Sequence, residues 1–463
     1  MRKKLMSMLL AATVCFSLTA CQTENAEPGK NQESQEESGK TEGAEGKTKG
    51  AGGEVETLTV LTYADWYLDG WKAVEQYIDE HAEELGFRLE FTMVEGGTTG
   101  DQYYAAKFAT GDLPDLIQFY KPMWIASNCG GQAGLDYLVD LSGLDAVSEY
   151  NETDLEGGTY KMDGKVYGLP INSCAYGNVT MYNKAIFEEN DIEIPTTWEE
   201  YEAVCEKLKA AGVTPMFYSG ADGWTLPING YGLFGDCTKE GISVLEMMDR
   251  INTHQVGFAG CEEYIRYTED LKRLIDKGYV QETWVSDSFD DACAAIAHGD
   301  AAMYNMTTHT ITNIEGNYPD LKDSFDVFIT PSGIDGEHDL ALYVPYALGV
   351  TTCAKNQELA LKALNFICSS EAQQIYADAQ PGVYLNTKIE YSVGPQLEKI
   401  AGWQAEGKVM YAFEELTKYG MGSTADYIMN YYTGVGSNAR SVAESIDEEI
   451  ARNARAAGDS NWN

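Results

Sequence analysis

The sequence predicts an α/β protein folded as two lobes around a cleft. Three observations carry this. Strand and helix patterns alternate after residue 55, which implies parallel sheets covered on both faces by helices. About 400 residues remain after that point, more than one hydrophobic core usually serves. The stretch Tyr167–Trp224 reads as a passage between lobes, a strand, a helix, a second capped helix, another strand and an aromatic loop.

The N-terminus has an export pattern. Arg2, Lys3 and Lys4 precede the apolar run Leu5–Ser17, which is too short to span a bilayer. Leu18-Thr19-Ala20-Cys21 is similar to a bacterial lipobox, which implies that residues 1–20 are a signal peptide and that Cys21 carries lipid, a palmitate-type anchor. Residues 21–55 read as a lipidated, disordered tether. Gln22–Glu54 has no aromatic residue and no Val, Ile, Leu or Met, so it cannot offset the entropy of ordering. Its r.m.s. span is roughly 30 Å.

The folded part begins with a strand at Leu58–Thr62, then Tyr63–Tyr67 at its carboxyl end. A helix follows over Gly70–Leu85, with Asp69 as its expected cap and Gly86 as its stop. Arg88–Val94 is a strand, Gln102–Thr110 a helix, and Leu116–Phe119 a strand ending in Tyr120-Lys121-Pro122. Leu169-Pro170-Ile171 is extended, since a residue before proline avoids the helical region. Asn178–Met181 is a strand and Ala185–Asn190 a helix. Thr197 with Glu200 reads as a capping box for a helix that Gly212 ends. Pro215–Tyr218 is a strand, with helices at Tyr264–Gly278 and Asp290–His298 and a strand at the end of Gly299–Asn305. Val344–Val350 returns to the first lobe, Leu359–Ile367 is helical, and Ser370 to Gln373 is a second expected capping box. Pro381–Tyr384 is a further crossing, and Ser441 to Glu444 a third expected box opening the last helix.

Gly168-Leu169-Pro170, the run Met181-Tyr182-Asn183-Lys184 with Phe187, and Ile194–Glu200 stand in an order and spacing that resemble the family 1 extracellular solute-binding proteins, the carbohydrate receptors of ABC importers. The turn Gly111-Asp112-Leu113-Pro114-Asp115 is similar to that family as well. The resemblance implies a periplasmic-binding-protein-like (type II) fold with a ligand cleft between lobes. Lobe 1 is then 56–170 plus 345–384, and lobe 2 is 171–344 plus 385–463. In the family the strand after a "glycine, short turn, Ala-Ala-Met" motif commonly ends in a sugar-stacking tryptophan. Here the chain reads Met306-Thr307-Thr308-His309, so His309 takes about that place.

Open α/β sheets bind ligands beyond the carboxyl ends of their strands. That rule selects Tyr63, Asp65, Trp66, Tyr120 and Lys121. Loops and crossings of the second lobe add Tyr176, Asn178, Asp222, Trp224, Asn305 and His309, and the later crossings add Tyr346 and Tyr384. The mixture suits a sugar, which has apolar C–H faces for flat aromatics and polar edges for amides and hydroxyls. No arginine of the mature chain falls in an expected cleft loop, so an uncharged ligand is expected; Lys121 is the exception.

The net charge of −41, or −44 without Arg2, Lys3 and Lys4, argues against nucleic acid and against anionic lipid. No serine-hydrolase, phosphate-loop or zinc-peptidase motif is present, so no catalytic residue, metal or cofactor is expected. Eight cysteines lie beyond Cys21 without a C-x-x-C pair. Cys205, Cys293 and Cys368 read as core residues, and Cys237–Cys261 is the expected disulfide candidate. The reading is therefore a monomeric receptor on the outer face of the cell membrane. It is held there only by lipid at Cys21, takes a neutral mono- or oligosaccharide, and delivers it to permease subunits. The alternatives are a polyamine or peptide receptor of the same fold and an exported glycoside hydrolase.

Overall fold

The computed structural model describes residues 55–95, 98–130, 132–156, 160–162, 164–231, 242–331, 339–436, 438–456 and 458–462. The expected signal, lipid site and nearly all of the tether lie outside these residues, as does Cys237. Cys261 is a buried free thiol whose Sγ points at Met247 Sδ, 3.9 Å away. Cys205, Cys293 and Cys368 are buried free thiols too.

Eleven strands position the site: β1 (Glu56–Tyr63), β2 (Phe87–Val94), β3 (Leu116–Phe119), β4 (Leu169–Pro170), β5 (Ala175–Gly177), β6 (Val179–Asn183), β7 (Met303–Met306), β8 (Phe325–Ile329), β9 (Leu340–Tyr343), β10 (Ala347–Val350) and β11 (Val409–Tyr411). The first sheet runs β2-β1-β3-β10-β4. Its first three strands are parallel, in keeping with the strand–helix alternation of the sequence, whereas β10 is antiparallel to both β3 and β4. The second sheet runs β8-β6-β7 and is antiparallel throughout, so the parallel rule fails there. Met216 extends it through parallel bridges to Met303 and Val280. A third sheet, β11-β9-β5, carries the crossings: β5 and β9 run antiparallel between the first two sheets.

Helices cover both main sheets. Asp69–Glu80 packs against Ser370–Ala379 and buries Trp71, Val74 and Ile78 at 3.6-residue spacing. Its N-cap is Leu68 rather than Asp69, and the helix breaks at His81 before a last turn, Ala82–Leu85. Thr197 caps Trp198–Ala210 by accepting from Glu200 N at 3.2 Å. Glu200, however, reaches back to Thr196 N and hydroxyl, not to Thr197. The Ser370 box is absent: the N-cap is Ser369 and Gln373 donates to the Ile367 carbonyl. The last box sits one turn earlier than expected, with Ser441 N donating to Asn438 Oδ1 at 2.9 Å and Ser441 Oγ accepting from Asn438 N. A reciprocal box that sequence reading missed, Ser288 with Asp291, opens the helix Phe289–His298. Gly299 ends that helix at φ 80°, a left-handed conformation that favours glycine.

One hydrophobic cluster centres on Trp71, Phe87, Tyr104 and Phe119 under the first sheet and continues through the crossings to one face of the second. The other, around Tyr201, Met216, Leu271 and Ile446, fills the opposite face of the second sheet. Among the described residues no helix is long and apolar enough to cross a membrane.

Candidate functional site

The carboxyl ends of β1 and β3 and the start of β10 gather at one edge of the first sheet. Register explains this: β1 and β3 run parallel, and Ala347 pairs with Phe119, which brings Tyr346 beside Tyr120. Tyr63 is buried, donates to Asp101 Oδ1 at 2.6 Å, and stacks on Tyr104 with centroids 4.7 Å apart. Trp66 lies flat on Tyr346, with centroids 3.6 Å apart and planes 13° from parallel. Tyr120 meets Trp66 edge-on at 4.8 Å and Tyr346 at 5.6 Å, and Trp124 joins at 5.3 Å from Tyr120. The faces of Tyr63 and Trp66 are thus taken by other rings. Half-buried Tyr120, Trp124 and Tyr346 keep the open surface, with Asp65 exposed beside them.

Burial pushes the Asp101 carboxyl above the usual carboxylate range, against the pull of the Tyr63 hydrogen bond. Burial, and then the Glu415 carboxylate, raise the Tyr346 hydroxyl. Lys121 is buried, and its ammonium is fully engaged. It donates to the backbone carbonyls of Glu414 and Glu415 and lies 3.5 Å from Glu415 Oε2.

At the second sheet, β7 ends at Met306 opposite Val179, so Thr307-Thr308-His309 leave at the edge where Asn178 enters. Met216 runs parallel to β7, so the loop Ser219–Trp224 leaves there too. Trp224 is 46% exposed, 5.3 Å from the Phe289 ring. Asp222 Oδ2 accepts from Phe289 N at 2.7 Å, which ties the loop to the start of Phe289–His298. Asn305 is buried, with Nδ2 donating to the Asn229 carbonyl and Oδ1 accepting from the Thr330 hydroxyl. His309 is exposed to solvent yet walled by protein. That enclosure disfavours the imidazolium and holds its pKa below the ordinary histidine value. Its Nδ1 lies 3.4 Å from the Thr307 hydroxyl.

The structure therefore brings Tyr63, Asp65, Trp66, Tyr120, Lys121 and Tyr346 to one edge, and Asn178, Asp222, Trp224, Asn305 and His309 to the other. Tyr176 and Tyr384 differ. Both are buried on the crossing segments, where Tyr176 donates to Gln404 Oε1 at 2.6 Å and Tyr384 to the Gln380 carbonyl. Trp124 and Asp101, which the structure adds to the first edge, were not singled out from the sequence. The first was within reach, because it lies one helical turn past the end of β3.

Several arginines are held by acidic neighbours. Arg88 pairs with Asp79, Arg250 with Glu246, Arg266 and Arg273 with Asp270, and Arg440 with Glu262. Among the described residues no group of three or more His, Cys, Asp or Glu could hold a metal ion.

Comparison with known proteins adds to this geometry. The family described as "Bacterial extracellular solute-binding protein" matches residues 65–374. A multiple sugar-binding protein of Streptococcus mutans is 26% identical over 285 residues, 58% of this chain and 62% of that protein. An uncharacterized ABC transporter extracellular-binding protein of Pyrococcus horikoshii is 30% identical over 122 residues, 26% of this chain and 27% of that protein. The alignments thus span less than two thirds of these relatives. Among solved structures, a chitin oligosaccharide binding protein superposes with a TM-score of 0.70 at 21% identity, covering 86% of this chain and 99% of its own. A family 1 extracellular solute-binding protein from Bifidobacterium longum subsp. infantis gives 0.66 at 17% identity, covering 86% and 100%. At these identities the likeness is one of fold, and the fold is the two-lobed one.

Proposed function

This chain belongs to the bacterial extracellular solute-binding protein family, and we propose from that premise that it is the receptor of an ABC importer, closing two lobes around a neutral sugar or oligosaccharide. One observation carries the ligand class. The edge of the first sheet offers aromatic rings, Tyr120, Trp124 and Tyr346, while the edge of the second offers amides and hydroxyls, Asn178, Asn229, Thr307 and Thr308. A sugar needs both surfaces at once. Arg88, Arg250, Arg266, Arg273 and Arg440 are ion-paired and Lys121 is already held by Glu414 and Glu415, so capture of a carboxylate or phosphate has no free cation among these groups. The relatives' names, a multiple sugar-binding protein and a chitin oligosaccharide binding protein, support the same class.

Ligand held by both edges stabilises the closed arrangement by its differential affinity for it. The closed form then delivers the sugar to permease subunits. Binding and release suffice for this role, so the protein is a carrier rather than an enzyme. Export by residues 1–20 and lipid at Cys21 would hold it, as a monomer, on the outer face of the membrane, with lobe 1 at 56–170 plus 345–384 and lobe 2 at 171–344 plus 385–463.

Thermal unfolding against neutral oligosaccharides, acidic sugars, polyamines and peptides tests this reading. Ligand at 100 times its Kd adds about 2.7 kcal/mol. A shift with one neutral series is the expected result. A shift only with polyamines or peptides would overturn the sugar class, and release of product from a chromogenic glycoside would overturn the carrier role.

A further inference from the structure

Four buried polar atoms without a hydrogen-bond partner among the described residues sit where the chain leaves β5 for the second sheet: Asn178 Oδ1, Asn229 Oδ1 and Nδ2, and the Tyr343 hydroxyl. Hydrogen bonds fix their neighbourhood. Asn305 Nδ2 donates to the Asn229 carbonyl at 2.9 Å, and Asn305 Oδ1 accepts from the Thr330 hydroxyl at 3.1 Å. Asn178 Nδ2 donates to the Thr330 carbonyl at 3.3 Å and the Asp339 carbonyl at 3.0 Å. The helix Thr225–Tyr231, which carries Asn229, packs on both β5 and β7. Tyr343 belongs to β9, paired with β5, and its ring crosses directly over Gly177: a Cβ at that glycine would lie 2.8 Å from Tyr343 Cε2. Asn178, the next residue, holds φ 61°, a left-handed conformation that asparagine tolerates better than most.

A buried polar atom without a partner costs its full desolvation, so folded chains leave few. Here the three residues that carry them stand on neighbouring segments: Asn178 between β5 and β6, Asn229 on the helix that packs on β5 and β7, and Tyr343 on the strand paired with β5. Their chemistry is mixed: one amide donor, two amide acceptors, and a hydroxyl that does either. A carboxylate or phosphate wants donors alone, and an ammonium wants acceptors alone. A hydroxyl that donates and accepts matches the set.

We propose that Asn178, Asn229 and Tyr343 form a hydroxyl-recognising subsite on the second lobe, gripping the polar edge of a neutral sugar whose face lies on Tyr120 and Tyr346. The assignment rests on the sugar-receptor reading and deepens it. It also makes closure ligand-dependent, because sealing these atoms without a hydroxyl leaves them unpaired.

The test is calorimetric titration of the purified full chain with raffinose, stachyose and chitin oligosaccharides, repeated on Tyr343→Phe and Asn229→Leu. Alongside it, unfolding midpoints are measured without ligand. The expected result is affinity weakened roughly 10-fold or more in each variant, with unliganded midpoints unchanged or raised, since the removed atoms had no partner. Unchanged affinity in both variants would overturn the subsite while leaving the receptor standing. Lowered unliganded midpoints with affinity kept would overturn it too, by making the cluster the seat of a structural water. Failure of the unaltered protein to bind any of the panel sinks the sugar reading itself, and this assignment with it.

Discussion

The two facing edges each hold a buried amide network, and the networks are finished differently. In the first lobe Gln118 Oε1 accepts from the Thr62 hydroxyl at 2.7 Å and from Trp71 Nε1 at 3.2 Å. Gln118 Nε2 donates to Asn172 Oδ1, and Asn172 Nδ2 to the Tyr376 hydroxyl, each at 2.7 Å. Both atoms of that glutamine amide are used within the protein. In the second lobe the Asn305 amide is equally satisfied, but its neighbours Asn178 and Asn229 are not. A closed network fixes structure, whereas an open one keeps polar atoms for something brought from outside. The tryptophans divide the same way. Trp66 is 6% exposed and underlies Tyr346, while Trp224 is 46% exposed.

The tryptophan pair gives the largest expected contrast. Trp66→Ala removes a buried indole and the support of Tyr346, so stability falls by about 3–5 kcal/mol. Trp224→Ala changes stability by less than about 1 kcal/mol and instead weakens sugar binding. Urea unfolding and titration on both variants check this. Equal losses of stability would erase the distinction between the edges.

Gln118→Leu comes next. It strands the Trp71 indole N–H and Asn172 Oδ1 and leaves the Thr62 hydroxyl only the Tyr63 carbonyl at 3.3 Å, and stability should fall by about 3 kcal/mol. A loss below about 1 kcal/mol in urea unfolding would show that the first network matters as little to the unliganded fold as Asn229 is expected to.

Lys121→Met addresses a cation that ties the first sheet's edge to the segment after β11. Without its ammonium the Glu414 and Glu415 carbonyls and the Glu415 carboxylate lose a partner, and stability drops by about 1–3 kcal/mol. The radius of gyration of the unliganded protein, from small-angle scattering, should rise. An unchanged radius would make Lys121 a local anchor only.

Much of the first edge was legible because one local rule, ligands beyond strand carboxyl ends, selects Tyr63, Trp66 and Tyr120 from short runs of sequence. The cap at Thr197 was readable for the same reason: the backbone N–H it accepts, that of Glu200, lies three residues on. What stayed hidden is long-range. Tyr346 meets Trp66, and Lys121 meets Glu415, across nearly 300 positions (|i−j| of 294 for the lysine). No local pattern records such a meeting. Tyr176 and Tyr384 look like cleft residues by position. On a crossing segment, though, a residue's side depends on a pleat whose register is set by distant strands, and both turn inward. Asn229 was missed because its helix begins just after the loop that ends in Trp224, and nothing local distinguishes a partnerless amide from a solvated one.

His309 supplies the smallest and most discriminating effect. Its enclosure favours the neutral ring, so its folded pKa lies below the unfolded value of about 6.5. A group depressed in this way contributes stability that is fully present above about pH 6.5 and is lost as pH falls through that value towards the folded pKa, because the unfolded chain then binds the extra proton. His309→Gln removes that slope. The unfolding midpoint of the unaltered protein should therefore fall more than the variant's between pH 7.5 and pH 5, and the two curves should run parallel above pH 7. Solvent reaches the ring, so the difference is small, and a saturating sugar that displaces this water should steepen it. Parallel curves across the whole range would place His309 in open water, outside the cleft, and would leave Trp224 as the aromatic ring that the second edge offers to a ligand.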